Sequence, residues 1–278
     1  MTPDNHVGED KLKVVKRILW TTCIIVLLNG CTNEDDLERD EIDTDLRSAQ
    51  ENEQNQILED TSFLNKGLIA YYPFDGNASE TSGHDHNTTV HEAVLSADRH
   101  RSSSKAYSFD GTDDYIMVKD STTLRPKYIT IACWVNPAGF GIMAIIGKTT
   151  YANAHGEQYG LSLTELTPAF SIKRNSGGAL GAGWQQVNSS SAIPINHWSH
   201  LAATWNGIAL KIYVDGQLKK QNTEVPVGPI DNLSGGNLQV GRWLKKNPFH
   251  YAGKIDEIRI YDRALSSAEV ATLYHFEK

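Results

Sequence analysis

From Leu68 onward the chain consists of short apolar or alternating runs separated by turn residues, and this pattern constrains the fold most strongly. Eleven runs have the length of β-strands: Leu68–Phe74, Ala106–Phe109, Tyr115–Val118, Ile129–Val135, Ala144–Ile146, Tyr159–Leu163, Ala169–Ile172, Trp198–Trp205, Ala209–Val214, Leu238–Val240 and Lys254–Tyr261. Asp215-Gly216 predicts a two-residue type I′ hairpin, because both central positions need a positive φ. Many short strands with Gly- and Asn-rich connections predict an all-β protein with two antiparallel sheets packed as a sandwich.

One short helix is expected near residue 270. Ser266-Ser-Ala-Glu269 has the form of a capping box, and Val270, Leu273 and Tyr274 follow on one helical face. Roughly 200 residues suffice for one sandwich with a sizeable core. Only Cys133 lies in this part of the chain, which rules out a disulfide scaffold, so the fold depends on its core or on a metal ion.

Residues 1–31 have the features of a secretory signal. A basic flank at residues 11–17 precedes a predominantly apolar stretch of thirteen residues, 18–30, which is too short for a membrane span of about 20 residues. Leu28-Asn29-Gly30-Cys31 resembles the lipobox of bacterial lipoproteins. The resemblance implies that residues 1–31 are a lipoprotein signal peptide, cut before Cys31, and that Cys31 carries a lipid that anchors the protein to the membrane.

Charge separates the next segment from the rest of the chain. Residues 32–66 carry twelve acidic and three basic residues, which predicts a disordered acidic tether. Its first residues resemble the export signal of lipoproteins on the outer leaflet of the bacterial outer membrane, although a solvated tether without that role is equally consistent. Residues 67–278 carry 19 acidic and 19 basic residues and therefore lack the basic excess of a nucleic-acid-binding protein.

Six segments of residues 67–278 carry a family resemblance. They are Gly67–Asn77 with Tyr-Tyr-Pro-Phe-Asp-Gly-Asn, Tyr107–Ile116 with Phe-Asp-Gly-Thr-Asp-Asp-Tyr, Ile129–Pro137, His197–Trp205, Ile212–Gly216, and Gly253–Leu265 with Lys-Ile-Asp-Glu-Ile-Arg-Ile-Tyr. Together they resemble the LamG-like jelly roll of the concanavalin A-like lectin and glucanase superfamily. The resemblance implies one domain over 67–278, with two antiparallel sheets of six or seven strands and the first and last strands side by side.

A structural calcium ion is expected where those two strands meet. Asp256, Ile258 and Ile260 fall on one face of the last strand, so Asp256 is predicted to face the core, where a carboxylate needs hydrogen bonds or a cation. Asp75 and Asn77 follow the first strand, and hard oxygen ligands favour calcium. The resemblance implies calcium as well. Retention of Asp256 by backbone amides, without a metal, is the alternative.

Two of the six tryptophans are candidates for binding a ligand. Trp134, Trp198 and Trp205 lie in apolar strand runs and are expected in the core. Trp184 and Trp243 lie in expected loops, where exposed rings can stack on the apolar faces of sugars. Tyr151, Gln185 and Arg242 are expected to accompany them, as polar groups that bind hydroxyls. Rings that merely close one end of the sandwich are the alternative.

Catalysis is the rival hypothesis, because glucanases share the implied fold. Retaining glucanases need two carboxylates about 5–5.5 Å apart, and the only partial Glu-x-Asp match, Glu41-Ile-Asp43, lies in the expected tether. Asp256 and Glu257 are adjacent and are predicted to face opposite ways. The sequence therefore predicts a non-catalytic, calcium-stabilised carbohydrate-binding domain of a surface lipoprotein. A protein-binding adhesin module is the alternative, and a glycoside hydrolase is less favoured.

Overall fold

The computed structural model describes residues 61–150, 157–174, 183–231, 235–243 and 249–278, so Cys31 and Tyr151 lie outside the described residues. Seventeen strands are described. In chain order they are β1 Leu68–Tyr72, β2 Thr88–His91, β3 Val94–Ser96, β4 Ala106–Asp110, β5 Tyr115–Val118, β6 Ile129–Pro137, β7 Ile142–Thr150, β8 Glu157–Thr164, β9 Thr167–Lys173, β10 Trp184–Asn188, β11 Ser199–Trp205, β12 Leu210–Val214, β13 Gln217–Asn222, β14 Gly236–Val240, β15 Arg242–Trp243, β16 Phe249–His250 and β17 Ala252–Tyr261.

The strands form two large antiparallel sheets and one small ribbon. An eight-stranded sheet has the order β13-β12-β11-β6-β17-β4-β3, with β1 also paired to β17, and a seven-stranded sheet has the order β10-β9-β8-β7-β14-β5-β2. Strands β15 and β16 form the ribbon. The two-sheet antiparallel jelly roll predicted from the sequence is confirmed, and the first strand lies beside the last, with Tyr72 opposite Ile258.

Alternation along the strands builds the main core between the sheets. In β8, for example, Tyr159, Leu161 and Leu163 are fully buried members of that core, whereas Gly160 between them belongs to the other face of the sheet. The Asp215-Gly216 turn connects β12 to β13 with φ angles of 51° and 74°, as the sequence predicts for a type I′ hairpin. In β8 the apolar positions of the sequence thus specify which face of the strand is inside.

A helix covers the outer face of the eight-stranded sheet. Helix α1, Ser267–Glu277, begins at the predicted capping box, in which Ser266 and Glu269 each bond the other's backbone N–H. Val270 and Leu273 of the helix are buried in a second apolar cluster. The same cluster includes Phe63 and Leu64 of a short 3-10 helix, Ser62–Asn65, and the compact unit of the chain spans Phe63–Lys278.

Three features of the fold differ from the sequence-based expectation. Strands β2, β3, β10, β13 and the two-residue β15 and β16 were not predicted, because their side chains are largely exposed or the strands are short. Trp184 and Trp243 therefore lie in strands rather than in loops. Of the three tryptophans predicted to lie in the core, only Trp205 does, since Trp198 is half buried and Trp134 is buried on the outer face of the eight-stranded sheet. Within the described residues, no helix combines the length and the apolar character needed to cross a membrane.

Candidate functional site

The outer face of the seven-stranded sheet carries a tryptophan seated on two glycines. Gly147 of β7 and Gly160 of β8 are directly paired, and a Cβ atom at either would lie 3.4 Å or 3.1 Å from the ring of Trp243. Because neither glycine has a side chain, the indole of Trp243 can pack directly on the backbone of the sheet. The ring is 8% exposed, and its Nε1 has no hydrogen-bond partner among the described residues.

Trp184, the other tryptophan predicted to bind a ligand, lies next to this ring. The centroids of the two indoles are 5.9 Å apart and their planes are tilted by 43°. Trp184 begins β10 and is half buried, so part of its ring remains open to solvent. We call the surface formed by Trp184, Trp243, Arg242, Tyr115 and His91 the tryptophan face.

The remaining members of the tryptophan face form a stacked row. The guanidinium carbon of Arg242 lies 3.4 Å from the ring centroid of Tyr115, and that ring stacks on His91 with centroids 4.1 Å apart. Arg242 Nε also donates to Gln239 Oε1 over 3.3 Å. Tyr115 and His91 were not predicted, although the alternation of Tyr115 with the buried Ile116 and Val118 could have identified Tyr115 as an outward residue.

The same outer face of the sheet has buried polar side chains, whereas the inner face of the same strands has apolar ones. Gln158, Ser162, Ser171 and Gln239 are all buried and alternate along β8, β9 and β14 with residues of the core. Ser171 Oγ donates to the Gly160 carbonyl over 3.5 Å. The outer face of this sheet therefore contains amide and hydroxyl groups as well as aromatic rings, but these polar groups are buried.

The predicted companion Gln185 does not belong to this surface. It follows Trp184 in β10 and alternates to the face of Val187, which is part of the core between the sheets. Gln186 instead shares the outer face and donates its amide to Asn188 Oδ1 over 2.5 Å. Tyr151, the other predicted companion, lies outside the described residues.

A β-bulge changes the orientation predicted for Asp256. Glu257 has a φ of 51°, and the pairing of β17 with β6 shifts register between Asp256 and Arg259. The extra residue places Asp256 on the outer face with Arg259, whereas Ile258 and Ile260 remain in the core. The prediction that Asp256 shares a face with the two isoleucines was wrong, because alternation was assumed to continue through position 257.

Each of the three predicted calcium ligands already has a partner within the protein. Asp256 Oδ2 lies 3.0 Å from Arg99 Nη1, and Asp256 Oδ1 accepts the Glu257 N–H over 2.8 Å. Burial raises the pKa of the Asp256 carboxyl, and Arg99 opposes that rise. Asp75 is exposed and lies 2.8 Å from Lys105 Nζ, and Asn77 Oδ1 accepts the Ser79 N–H over 2.7 Å. This arrangement does not fit a calcium ion at Asp256, since the ion would adjoin a guanidinium; calcium stays a prediction that chelation can test.

A cluster of three other carboxylates has a structural explanation. Asp110, Asp113 and Asp114 bring carboxylate oxygens within 4.8 Å of one another. Asp114 Oδ2 accepts the Asp110 N–H and Asp110 Oδ1 accepts the Thr112 N–H, each over 2.7 Å. These bonds close the turn between β4 and β5, and no ligand is needed to account for the cluster.

Two packed antiparallel sheets, one of them with aromatic residues on its outer face, define a jelly-roll sandwich domain. Residues 110–271 match the Laminin_G_3 family model of the concanavalin A-like lectin/glucanases superfamily. The chain belongs to this family.

Comparison with known proteins extends the likeness to binding domains. In rat (Rattus norvegicus), "Sushi, von Willebrand factor type A, EGF and pentraxin domain-containing protein 1" is 29% identical over 99 residues, which are 33% of this chain and 3% of that protein. The binding domain of Paraclostridial Mosquitocidal Protein 1 has a TM-score of 0.58 at 18% identity, over 76% of this chain and 52% of that one.

A domain from an enzyme of Geobacillus stearothermophilus matches over almost its full length. Domain 4 of AbnA, a GH43 extracellular arabinanase whose structure contains arabinotriose, has a TM-score of 0.58 at 22% identity, over 74% of this chain and 98% of that domain. At these identities the likeness to solved structures establishes the fold. The domain thus has the architecture of known binding modules.

Proposed function

We propose that this domain is a non-catalytic carbohydrate-binding module and that the tryptophan face binds the glycan. The observation that carries the proposal is the half-buried Trp184 ring, 5.9 Å from a Trp243 ring that is seated on paired glycines. Because the fixed Trp243 ring packs against the Trp184 ring, a sugar can stack on Trp184 with little loss of side-chain conformational entropy. The likeness to an arabinanase domain solved with arabinotriose supports a carbohydrate as the ligand.

The chemistry of the face supports binding without cleavage. The polar side chains described beneath and beside the rings are Gln158, Ser162, Ser171 and Gln239. None of them can act as the carboxylic acid or carboxylate that glycoside hydrolysis needs.

Replacement of Trp184 tests the proposal. We expect the purified protein to bind at least one polysaccharide on a glycan array, and Trp184→Ala to weaken that binding about tenfold, equivalent to about 1.4 kcal/mol. Tyr128→Ala is the matched control, because Tyr128 is an exposed aromatic residue that packs against Gly207 instead. Its binding should equal that of the unmodified protein.

Three results would contradict the proposal. Binding that survives in Trp184→Ala would place the glycan elsewhere. Absence of binding to every glycan, with a protein partner recovered instead, would favour the adhesin alternative. Release of reducing sugar by the purified protein would favour a hydrolase.

We also propose that the protein is lipid-anchored through Cys31 at the bacterial outer membrane and faces the cell surface. The lipobox resemblance of residues 28–31 and the acidic segment after it support this location. Cys31→Ser should move the protein from the membrane fraction to the soluble fraction and abolish labelling by a fatty acid. Cys23→Ser, eight residues earlier, should change neither result.

A further inference from the structure

A cleft of about 260 Å³ lies beside helix α1, on the outer face of the eight-stranded sheet. Three aromatic residues line it, Trp134 of β6, Trp198 just before β11 and Tyr274 of α1, together with the charged Arg99, Asp215 and Lys278. We call this site the helix cleft. Trp134 is outside the main core because its neighbours Cys133 and Val135 point into that core. The helix cleft and the tryptophan face therefore lie on opposite faces of the sandwich.

Arg99 is held in place by the protein before any ligand arrives. Its Nε donates to the Glu277 carbonyl over 2.7 Å, its Nη1 donates to Asp256 Oδ2 over 3.0 Å, and its Nη2 also donates to the Glu277 carbonyl. The guanidinium carbon lies 4.9 Å from the centroid of the Trp134 ring. A guanidinium has five N–H groups, so these three bonds fix its orientation and leave two N–H groups without a partner among the described residues.

The aromatic walls are also fixed. Trp134 Nε1 donates to Glu277 Oε2 over 3.0 Å, and the Trp134 and Tyr274 rings stack with centroids 5.7 Å apart. The imidazole of His200 packs against both rings, at 5.5 Å and 5.9 Å between centroids. Burial lowers the pKa of His200 to about 3, so the imidazole stays neutral and adds no charge beneath the cleft.

The charged residues favour a ligand that has both a carboxylate and hydroxyl groups. Lys278 Nζ lies 5.6 Å from the Tyr274 ring centroid and adds a second cation to Arg99. Asp215 Oδ1 accepts the backbone N–H of His200 over 2.9 Å, which fixes a carboxylate that can accept hydrogen bonds from hydroxyls. A neutral sugar would make no use of the cationic Arg99 and Lys278, whereas a bare phosphate has no sugar ring and would make no use of the aromatic residues.

We propose that the helix cleft is a second binding site, which takes one acidic sugar residue such as a uronic acid. The carboxylate binds Arg99 and Lys278, the sugar ring packs on Trp198 or Tyr274, and a hydroxyl donates to Asp215. The volume is slightly below the roughly 300 Å³ at which pockets for drug-sized ligands begin, which suits a single sugar ring. This site is separate from the tryptophan face and does not depend on the function proposed for that face.

Titration of the full chain with three small probes tests the proposal. Glucuronic acid, glucose and inorganic phosphate are each added while tryptophan fluorescence and backbone amide NMR shifts are followed. We expect glucuronic acid to bind at least about tenfold more tightly than glucose or phosphate, and to bind more weakly at high salt because screening weakens partly exposed ion pairs.

Substitutions inside and outside the helix cleft show where glucuronic acid binds. Trp198→Ala and Lys278→Gln should each weaken glucuronic acid binding about tenfold. Trp184→Ala, on the tryptophan face, and Lys220→Gln, an exposed lysine of β13, are the controls and should have no effect. Lys278 is exposed, so Lys278→Gln keeps the test valid if Trp198→Ala disturbs the fold.

Several results would overturn the inference. Equal binding of glucose would show that the cations play no part, and equal binding of phosphate would show a simple anion site. Absence of glucuronic acid binding would refute the proposed site. So would binding of unchanged affinity in both Trp198→Ala and Lys278→Gln. Binding lost only in Trp184→Ala would assign the acidic sugar to the tryptophan face, which would leave the proposed function intact.

Discussion

Among single residues, His200 makes the stability of the protein depend on pH. Burial lowers the pKa of its imidazole to about 3, compared with about 6.5 in an unfolded chain. The folded state therefore disfavours protonation, so this contribution to stability is fully present above about pH 6.5 and is lost as the pH falls towards 3. The loss approaches about 1.4 kcal/mol per pH unit.

Replacement of His200 by an uncharged residue should remove this dependence. The free energies of unfolding of the unmodified protein and of His200→Gln are measured by denaturant titration between pH 7 and pH 4. We expect the advantage of the unmodified protein to shrink as the pH falls, since His200 takes up a proton on unfolding and the glutamine that replaces it does not. A difference that stays constant over this range would contradict the assignment.

Single residues also show what the sequence could and could not predict about the candidate site. The aromatic types and loop-like surroundings of Trp184 and Trp243 identified both residues, which the structure brings together. The glycine pair beneath Trp243 was not predicted, because the pairing of Gly147 with Gly160 depends on the register between β7 and β8. Tyr151 and the lipid at Cys31 stay predictions, because those residues are not described.

At the scale of secondary-structure elements, helix α1 shows that a cap formed by neighbouring residues can be predicted from the sequence. A contact between residues far apart in the chain cannot. Its first turn is capped by Ser266 and Glu269, three residues apart, and the sequence predicted this cap. Its last turn is held by Glu277, which accepts from Trp134 Nε1 over 3.0 Å and from Arg259 Nε over 2.6 Å. Trp134 is 143 positions away along the chain, so no local pattern indicates the contact.

Replacing a glutamate at each end of helix α1 should have unequal effects. Glu277→Ala leaves the buried Arg259 without its closest carboxylate and should lower the free energy of unfolding by about 3 to 5 kcal/mol. Glu269→Ala removes half of a solvent-accessible capping box and should cost about 1 kcal/mol. Thermal and denaturant unfolding of both variants check this order, and equal losses would show that the ion pair with Arg259 adds nothing.

Strand β17 shows how one residue can defeat an argument from alternation. The sequence Lys-Ile-Asp-Glu-Ile-Arg-Ile-Tyr predicts a regular strand, and the structure contains one, with a bulge at Glu257. A one-residue insertion exchanges the faces of every position beyond it. The bulge brings Asp256 to Arg99 and Arg259 to Glu277, on the side covered by helix α1.

At the scale of the whole molecule, the folded unit includes residues that the sequence assigned to the acidic tether. The sequence placed the boundary between residues 66 and 67, because charge changes there, whereas Phe63 and Leu64 are buried in the apolar cluster with Leu273 of helix α1. A boundary drawn from charge does not detect two apolar residues beyond it. Residues 63–66 thus help to fasten the start of β1 and helix α1 onto the same sheet.

Phe63→Ala distinguishes a packed residue from a tether residue. Loss of the buried ring should lower the free energy of unfolding by about 3 kcal/mol, in a single transition, because the cluster is continuous with the eight-stranded sheet. Leu46→Ala, within the segment expected to be tether, is the control and should leave the denaturation curve unchanged. If Phe63→Ala unfolds at the same denaturant concentration as the unmodified protein, residue 63 belongs to the tether and the stable fold begins after it.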